Sequence, residues 1–143
     1  MSNRPSRITL VVALLVTLTA TACSRDLAPG KPTYSQVSDD TVRLEVQVSA
    51  ADVAYVKNEE IYLTITSHEC GSDANRYPAE AYVGDSKISD FDFPVSTEQM
   101  TLHADIPSEV FRRYERPCLA LEGGGYLGNK VSSASTPIEP KAP

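Results

Sequence analysis

Three runs of the chain carry side chains that could do chemistry. His68-Glu69-Cys70 sets three candidate ligands in a row, with His103 as the other histidine. Adjacent strand residues point to opposite faces, so these three cannot converge on one ion without a bend. The close Cys-x-x-Cys spacing favoured by zinc is also absent, and no metal site is predicted. Asp90 and Asp92 would stand on one strand face about 7 Å apart, a separation that inverting glycosidases use. With 19 Asp and Glu in the chain such pairs arise by chance, and a solvated face is the better reading. His68 or His103 could act as base to a serine, yet no Gly-x-Ser-x-Gly elbow presents a nucleophile. Gly123-Gly124-Gly125-Tyr126-Leu127-Gly128 matches Gly-x-Gly-x-x-Gly, but the 15 residues after it are rich in Ser and Pro. A dinucleotide site needs a helix there and an acid further on, so a hairpin loop is expected instead. The expectation is a non-catalytic protein with no cofactor and no small-molecule substrate.

The most informative stretch is the N-terminus. Arg4 and Arg7 precede the charge-free run from Ile8 to Ala22, and Ala20-Thr21-Ala22 leads directly into Cys23. The run falls short of the ~18 to 20 apolar residues a spanning helix needs, which predicts a cleaved signal peptide over residues 1–22. The small residues before Cys23 resemble the bacterial lipobox, whose cysteine is acylated and becomes the mature N-terminus. Ser24, in place of an Asp, implies by the same resemblance a destination at the periplasmic face of the outer membrane.

The leader contains two of the 13 Lys and Arg and none of the acids, leaving 11 cations against 19 acids, a formal charge of −8. Nucleic-acid binding is excluded on that balance, since phosphates require clustered cations. A basic protein partner fits better, because opposite fields raise the on-rate, although net charge also serves solubility alone. The chain has three cysteines, and an odd thiol in an oxidising compartment calls for an explanation. Assigning Cys23 to lipid leaves Cys70 and Cys118 as a disulfide pair; two buried thiols or a metal pair are the competing readings.

The elements that must position these groups are short strands. Val42, Leu44, Val46 and Val48 alternate with polar residues, as do Ile61, Leu63 and Ile65, and Met100, Leu102, Ala104 and Ile106. Weaker strands are expected over Ala79 to Val83, Lys87 to Phe93, Pro117 to Glu122 and Tyr126 to Ser132. Ser108 to Tyr114 is the one helix candidate and is barely two turns long. Pro29, Gly30 and Pro32 mark residues 23–38 as a flexible tether, and Pro137, Pro140 and Pro143 mark 134–143 as a disordered tail. The remaining 39–133 form one domain, predicted as an all-β, immunoglobulin-like antiparallel β-sandwich of about seven strands with one short helical turn.

A Cys70–Cys118 bridge would draw Arg76 and Tyr77 towards Arg112, Arg113 and Tyr114. Arg and Tyr are enriched where interfaces concentrate their energy, so these five residues form a candidate partner-binding group. The alternative is that the tyrosines pack at the sandwich edge while the arginines pair with local acids. The lipobox at Cys23, the β-rich domain, Tyr114 followed by Cys118, and Gly125-Tyr126 followed by Val131-Ser132-Ser133 resemble the small periplasmic immunity lipoproteins of type VI secretion systems. The resemblance implies a lipid-anchored protein that binds and neutralises a secreted toxin or hydrolase. A lysozyme inhibitor and an accessory lipoprotein of an envelope complex are the alternatives.

Overall fold

Residues 23–143 are described by a computed structural model, and the leader predicted for 1–22 lies outside the described residues. In chain order the elements are β1 (Ser24–Leu27), β2 (Thr33–Ser38), β3 (Thr41–Val48), α1 (Ala50–Asn58), β4 (Tyr62–Glu69), β5 (Tyr77–Glu80), β6 (Tyr82–Val83), β7 (Ser86–Lys87), a 3-10 turn (Ile88–Asp90), β8 (Met100–Pro107), α2 (Ser108–Phe111), β9 (Pro117–Gly124), β10 (Lys130–Ser133), β11 (Thr136–Pro137) and β12 (Glu139–Pro140). They form two packed sheets, ordered β1-β10-β9-β4-β5 with β11 also on β9, and β12-β2-β3-β8-β6-β7. The runs β2-β3-β8-β6 and β4-β9-β10 follow the A-B-E-D and C-F-G orders of an immunoglobulin sandwich. The fold is an all-β sandwich, as expected, with two parallel edge pairings, β1 on β10 and β12 on β2.

The core follows from the alternation. Val42, Leu44, Val46 and Val48 of β3 lie opposite Ile106, Ala104, Leu102 and Met100 of β8, and all eight are buried. Leu63, Ile65, Leu119 and Leu121 of the other sheet, with Ile61 just before β4, are buried in the same core. Each such Val, Leu, Ile or Met contributes about 1.5–3 kcal/mol relative to leaving it exposed, so this double row is a large part of the hydrophobic stabilisation.

Several expectations need correction. Residues 23–38 are not a tether: β1 and β2 are edge strands, and the Gly30 N–H donates to the Gln47 carbonyl at 2.8 Å between them. Residues 134–143 are not a disordered tail, because β11 and β12 pair with β9 and β2 and Ile138 is buried between them. The sandwich therefore runs from Ser24 to Pro140, with twelve strands instead of about seven, several only two residues long. Both terminal segments cross from one sheet to the other. Next, the helix α1 was missed. Its Ser49 cap accepts the Asp52 N–H at 3.1 Å, Val53 and Val56 turn into the core, and buried Asp52 pairs with Arg25 at 2.8 Å. Finally, of the strand expected over Lys87 to Phe93 only Lys87 lies in one, at the end of β7, while Ile88–Asp90 is a 3-10 turn, and Tyr126 to Asn129 is a loop. Phe91 takes a left-handed φ of 54°, which breaks the Asp-Phe alternation and sends Phe93 into the core while Phe91 stays partly exposed.

Candidate functional site

At one end of the sandwich β4 and β9 run out together, His68 opposite Cys118 and Glu69 opposite Pro117. Cys70 and Cys118 form a disulfide with Cα atoms 5.0 Å apart. It links neighbouring strands of one sheet, unlike the bridge between sheets in antibody domains. Glu69 reinforces the same junction: its carboxylate accepts the main-chain N–H groups of Glu115 at 2.8 Å and Arg116 at 3.1 Å. The loop after Cys70 is thereby held against the chain leaving α2, and a pocket of about 200 Å³ opens between them, lined by Asn75, Arg76, Tyr77, Val110, Arg113 and Tyr114.

Four of the five residues expected at a binding surface thus line one cavity, and their roles differ. Tyr114 is buried, with its hydroxyl donating to the Asn75 carbonyl at 2.8 Å and lying 3.2 Å from the Ser67 carbonyl. It is a pin that fixes the 71–76 loop from beneath and meets the surface only as part of the pocket wall. Arg76 pairs with Glu122 of β9 and with Asp73, which draws its charge inward. Tyr77 is half-buried at the start of β5. Arg112 and Arg113 are exposed and, among the described residues, form no ion pair. Arg112 stands beside the pocket rather than in its wall. Arg116 is exposed too, 3.9 Å from Glu69. Two unpaired guanidinium groups beside a small aromatic-lined pocket are what the geometry offers a ligand, and their chemistry suits carboxylates.

No family model matches the chain, and no curated protein matches it.

The histidines are occupied structurally. Nδ1 of His68 lies 2.9 Å from the Glu69 carbonyl and 3.2 Å from the Ser72 carbonyl, so it donates, and Nε2 is left to accept from the Ser135 hydroxyl at 3.0 Å. That pairing fastens the crossing segment after β10 over the outer face of β4. Among the described residues no three His, Cys, Asp or Glu side chains gather in a metal-binding group.

His103 stacks on Tyr82 with ring centroids 5.5 Å apart, beside the fork of Arg43 on Asp105 at 2.7 and 2.8 Å. Burial, with the Arg43 charge second, lowers the His103 pKa, whereas the Arg43 hydrogen bond lowers that of Asp105. The sign follows from linkage: a histidine lowered in the folded state gives its full contribution above the unfolded value of about 6.5 and loses it as pH falls through the folded value. Unfolding in denaturant should therefore show a midpoint that drops between pH 7.5 and 5.5, and His103→Gln should flatten that drop. Asp105 adds a second loss below about pH 4, where the unfolded carboxylate protonates first.

The opposite end of the sandwich carries residues that sequence reasoning did not single out. The β9–β10 hairpin closes with the Gly125 N–H on the Asn129 carbonyl at 2.8 Å and a left-handed Gly128. Its tip presents Tyr126 at 81% and Leu127 at 88% exposure. Tyr62 packs edge-on against both Phe91 and Tyr126, at 5.4 and 5.6 Å. The available signal was a Tyr-Leu pair bracketed by glycines, which puts two large apolar residues at a turn where polar ones are usual.

Proposed function

We propose that the protein is a lipid-anchored periplasmic immunity protein, which binds and neutralises a toxic effector or hydrolase delivered into the envelope and has no catalysis of its own. The supporting observation is the disulfide-braced end of the sandwich, where exposed Arg113 lines the pocket of Tyr77 and Val110 and exposed Arg112 stands beside it, on an otherwise acidic domain. Acyl attachment at Cys23 would confine the domain to the membrane surface and raise its local concentration where such a toxin acts. The partner would present carboxylates to the arginines and one apolar side chain to the pocket, an anchor-in-pocket arrangement that gives small interfaces most of their energy.

The test is competition: cells deleted for this gene should be killed by siblings that carry an active secretion system, and the wild-type gene should restore survival. Unchanged survival of the deletion strain would remove the immunity reading, and selective capture of lysozyme would replace the toxin with that target. Within the reading, Arg112→Glu combined with Arg113→Glu should weaken toxin binding at least tenfold, about 1.4 kcal/mol, measured by calorimetry at physiological salt. The thermal midpoint should hardly move, because both side chains are exposed.

A further inference from the structure

The two ends of the sandwich are fixed relative to Cys23. The Cys23 carbonyl accepts the Lys130 N–H at 3.1 Å, and Ser24 pairs in parallel with Lys130 at the foot of the β9–β10 hairpin. No slack separates that cysteine from the folded domain, since β1 begins at the next residue. From Lys130 the hairpin apex at Leu127 is three residues away, at most about 10 Å of chain. Among the described residues Tyr126 and Leu127 are the most exposed of the large apolar ones, and Tyr62, at 43%, stands beside them.

We propose that the Tyr126-Leu127 tip is a second membrane contact, inserted at the headgroup boundary beside the acyl chains of Cys23. The inference rests on the lipid-anchor reading. An acyl group on Cys23 enters the bilayer beside Lys130, and the tip projects from the same end of the same hairpin, within the ~5–10 Å over which interfacial segments bury their apolar face. Tyr suits that layer because its ring is apolar and its hydroxyl is wet. The hydroxyls of Tyr62 and Tyr126 lie 3.0 Å apart and form a polar collar behind the tip.

The rim of the patch selects the kind of surface. Glu59 and Glu60 border Tyr126 and Leu127, and Asp90 and Asp92 flank Phe91. A bilayer of zwitterionic lipid satisfies the apolar tip without confronting those acids, and added anionic lipid should not strengthen the contact. The β4 strand then runs about 25 Å away from the bilayer, eight residues at ~3.3 Å each, and holds the Arg112 and Arg113 end out in the periplasm.

The sequence contains no Trp, so a single introduced one reports its own surroundings. The full chain carrying Leu127→Trp is to be processed in a diderm host, purified from membranes and reconstituted into phosphatidylcholine vesicles with brominated tails. Ala74→Trp, exposed in the loop after Cys70, serves as the far-end reference. The expected result is quenching of the Leu127→Trp emission about twofold or more beyond that of Ala74→Trp, with a blue shift on reconstitution. Mass spectrometry of the same sample reads the state of Cys23. Acylated Cys23 with equal quenching of the two variants overturns the membrane contact and leaves the anchor standing. Unacylated Cys23 overturns the anchor reading, and the inference with it. Emission that responds to the toxin but not to bromolipid assigns the tip to protein docking and overturns the proposal.

Discussion

Replacing Cys70 and Cys118 together by alanine is expected to lower the free energy of unfolding by about 4 kcal/mol, the loop-closure entropy for two residues 48 apart. For a domain of about 120 residues that corresponds to a fall in thermal midpoint on the order of 15 °C. The effect is large because the freed loop gains its entropy in the unfolded chain, which the native contacts at this end cannot recover. Beyond Cys70 the loop over residues 71–76 is held by the Tyr114 hydroxyl, by the Arg76 ion pairs and by the Ser72 N–H on the Glu69 carbonyl. These are mostly partly exposed interactions, each worth about 1 kcal/mol or less. Calorimetry of the variant against wild type, with and without reductant, measures the difference. Wild type under strong reductant should approach the variant, whereas the variant should not respond. A midpoint within 3 °C of wild type would mean that Glu69 and Tyr114 brace this end unaided. If the proposed immunity function holds, toxin binding in the variant should fall with the loosened loop, because Arg76 and Tyr77 form one wall of the pocket and Arg113 stands on the other.

The strands with one buried face were legible because burial imposes period two on the sequence. β3 and β8 are of this kind throughout and β4 at its start, and their inward residues are core, whereas β9 buries four successive residues, Cys118 to Leu121, and so was the weaker expectation. The terminal strands were not legible, because an edge strand draws its stability from its neighbour's free backbone groups. β2 buries none of its own six residues fully, and the prolines around it suggest a linker until Pro32 is seen buried. In α1 the helical signal is only Ser49 as cap and Val53 with Val56 on one face, too short to stand out between two strong strands.

Legibility of the site divides in the same way. Counting cysteines was enough to expect the bridge, and the bridge was enough to bring Arg76 and Tyr77 beside Arg113. The role of Tyr114 was hidden, because its hydroxyl is held by the carbonyls of Ser67 and Asn75, and main-chain acceptors leave no mark in the pattern of residue types. The position of Cys23 beside the hairpin tip was hidden too, since it depends on the parallel β1–β10 pairing, which needs the long-range topology.

Gly123→Ala should cost about 2–3 kcal/mol, a loss of roughly 10 °C in thermal midpoint, while Gly124→Ala next to it should be close to neutral. Gly123 lies opposite Leu63 on β4 and Val131 on β10. A Cβ there would sit 2.6 Å from the Tyr62 carbonyl oxygen, 2.8 Å from Ile61 Cγ2 and 3.1 Å from Val131 Cγ2. The first of these is main chain in the strand paired along all of β9, so relief requires β9 and β4 to part, and neither a rotamer change nor a small shift of side chains suffices. At Gly124 the nearest atom to a Cβ is the Asn129 carbonyl at 3.8 Å, an ordinary contact, and alanine there also removes freedom from the unfolded chain. The strain at Gly123 falls at the foot of the hairpin, between Tyr62 on β4 and the tip that presents Tyr126 and Leu127. Bromolipid quenching of Leu127→Trp should therefore drop in the Gly123→Ala background at a temperature where the domain is still folded, while Gly124→Ala leaves it unchanged. Equal midpoints for the two alanine variants would show that β9 moves freely at this position, and the hairpin would then lack the rigid seat that an inserted tip requires.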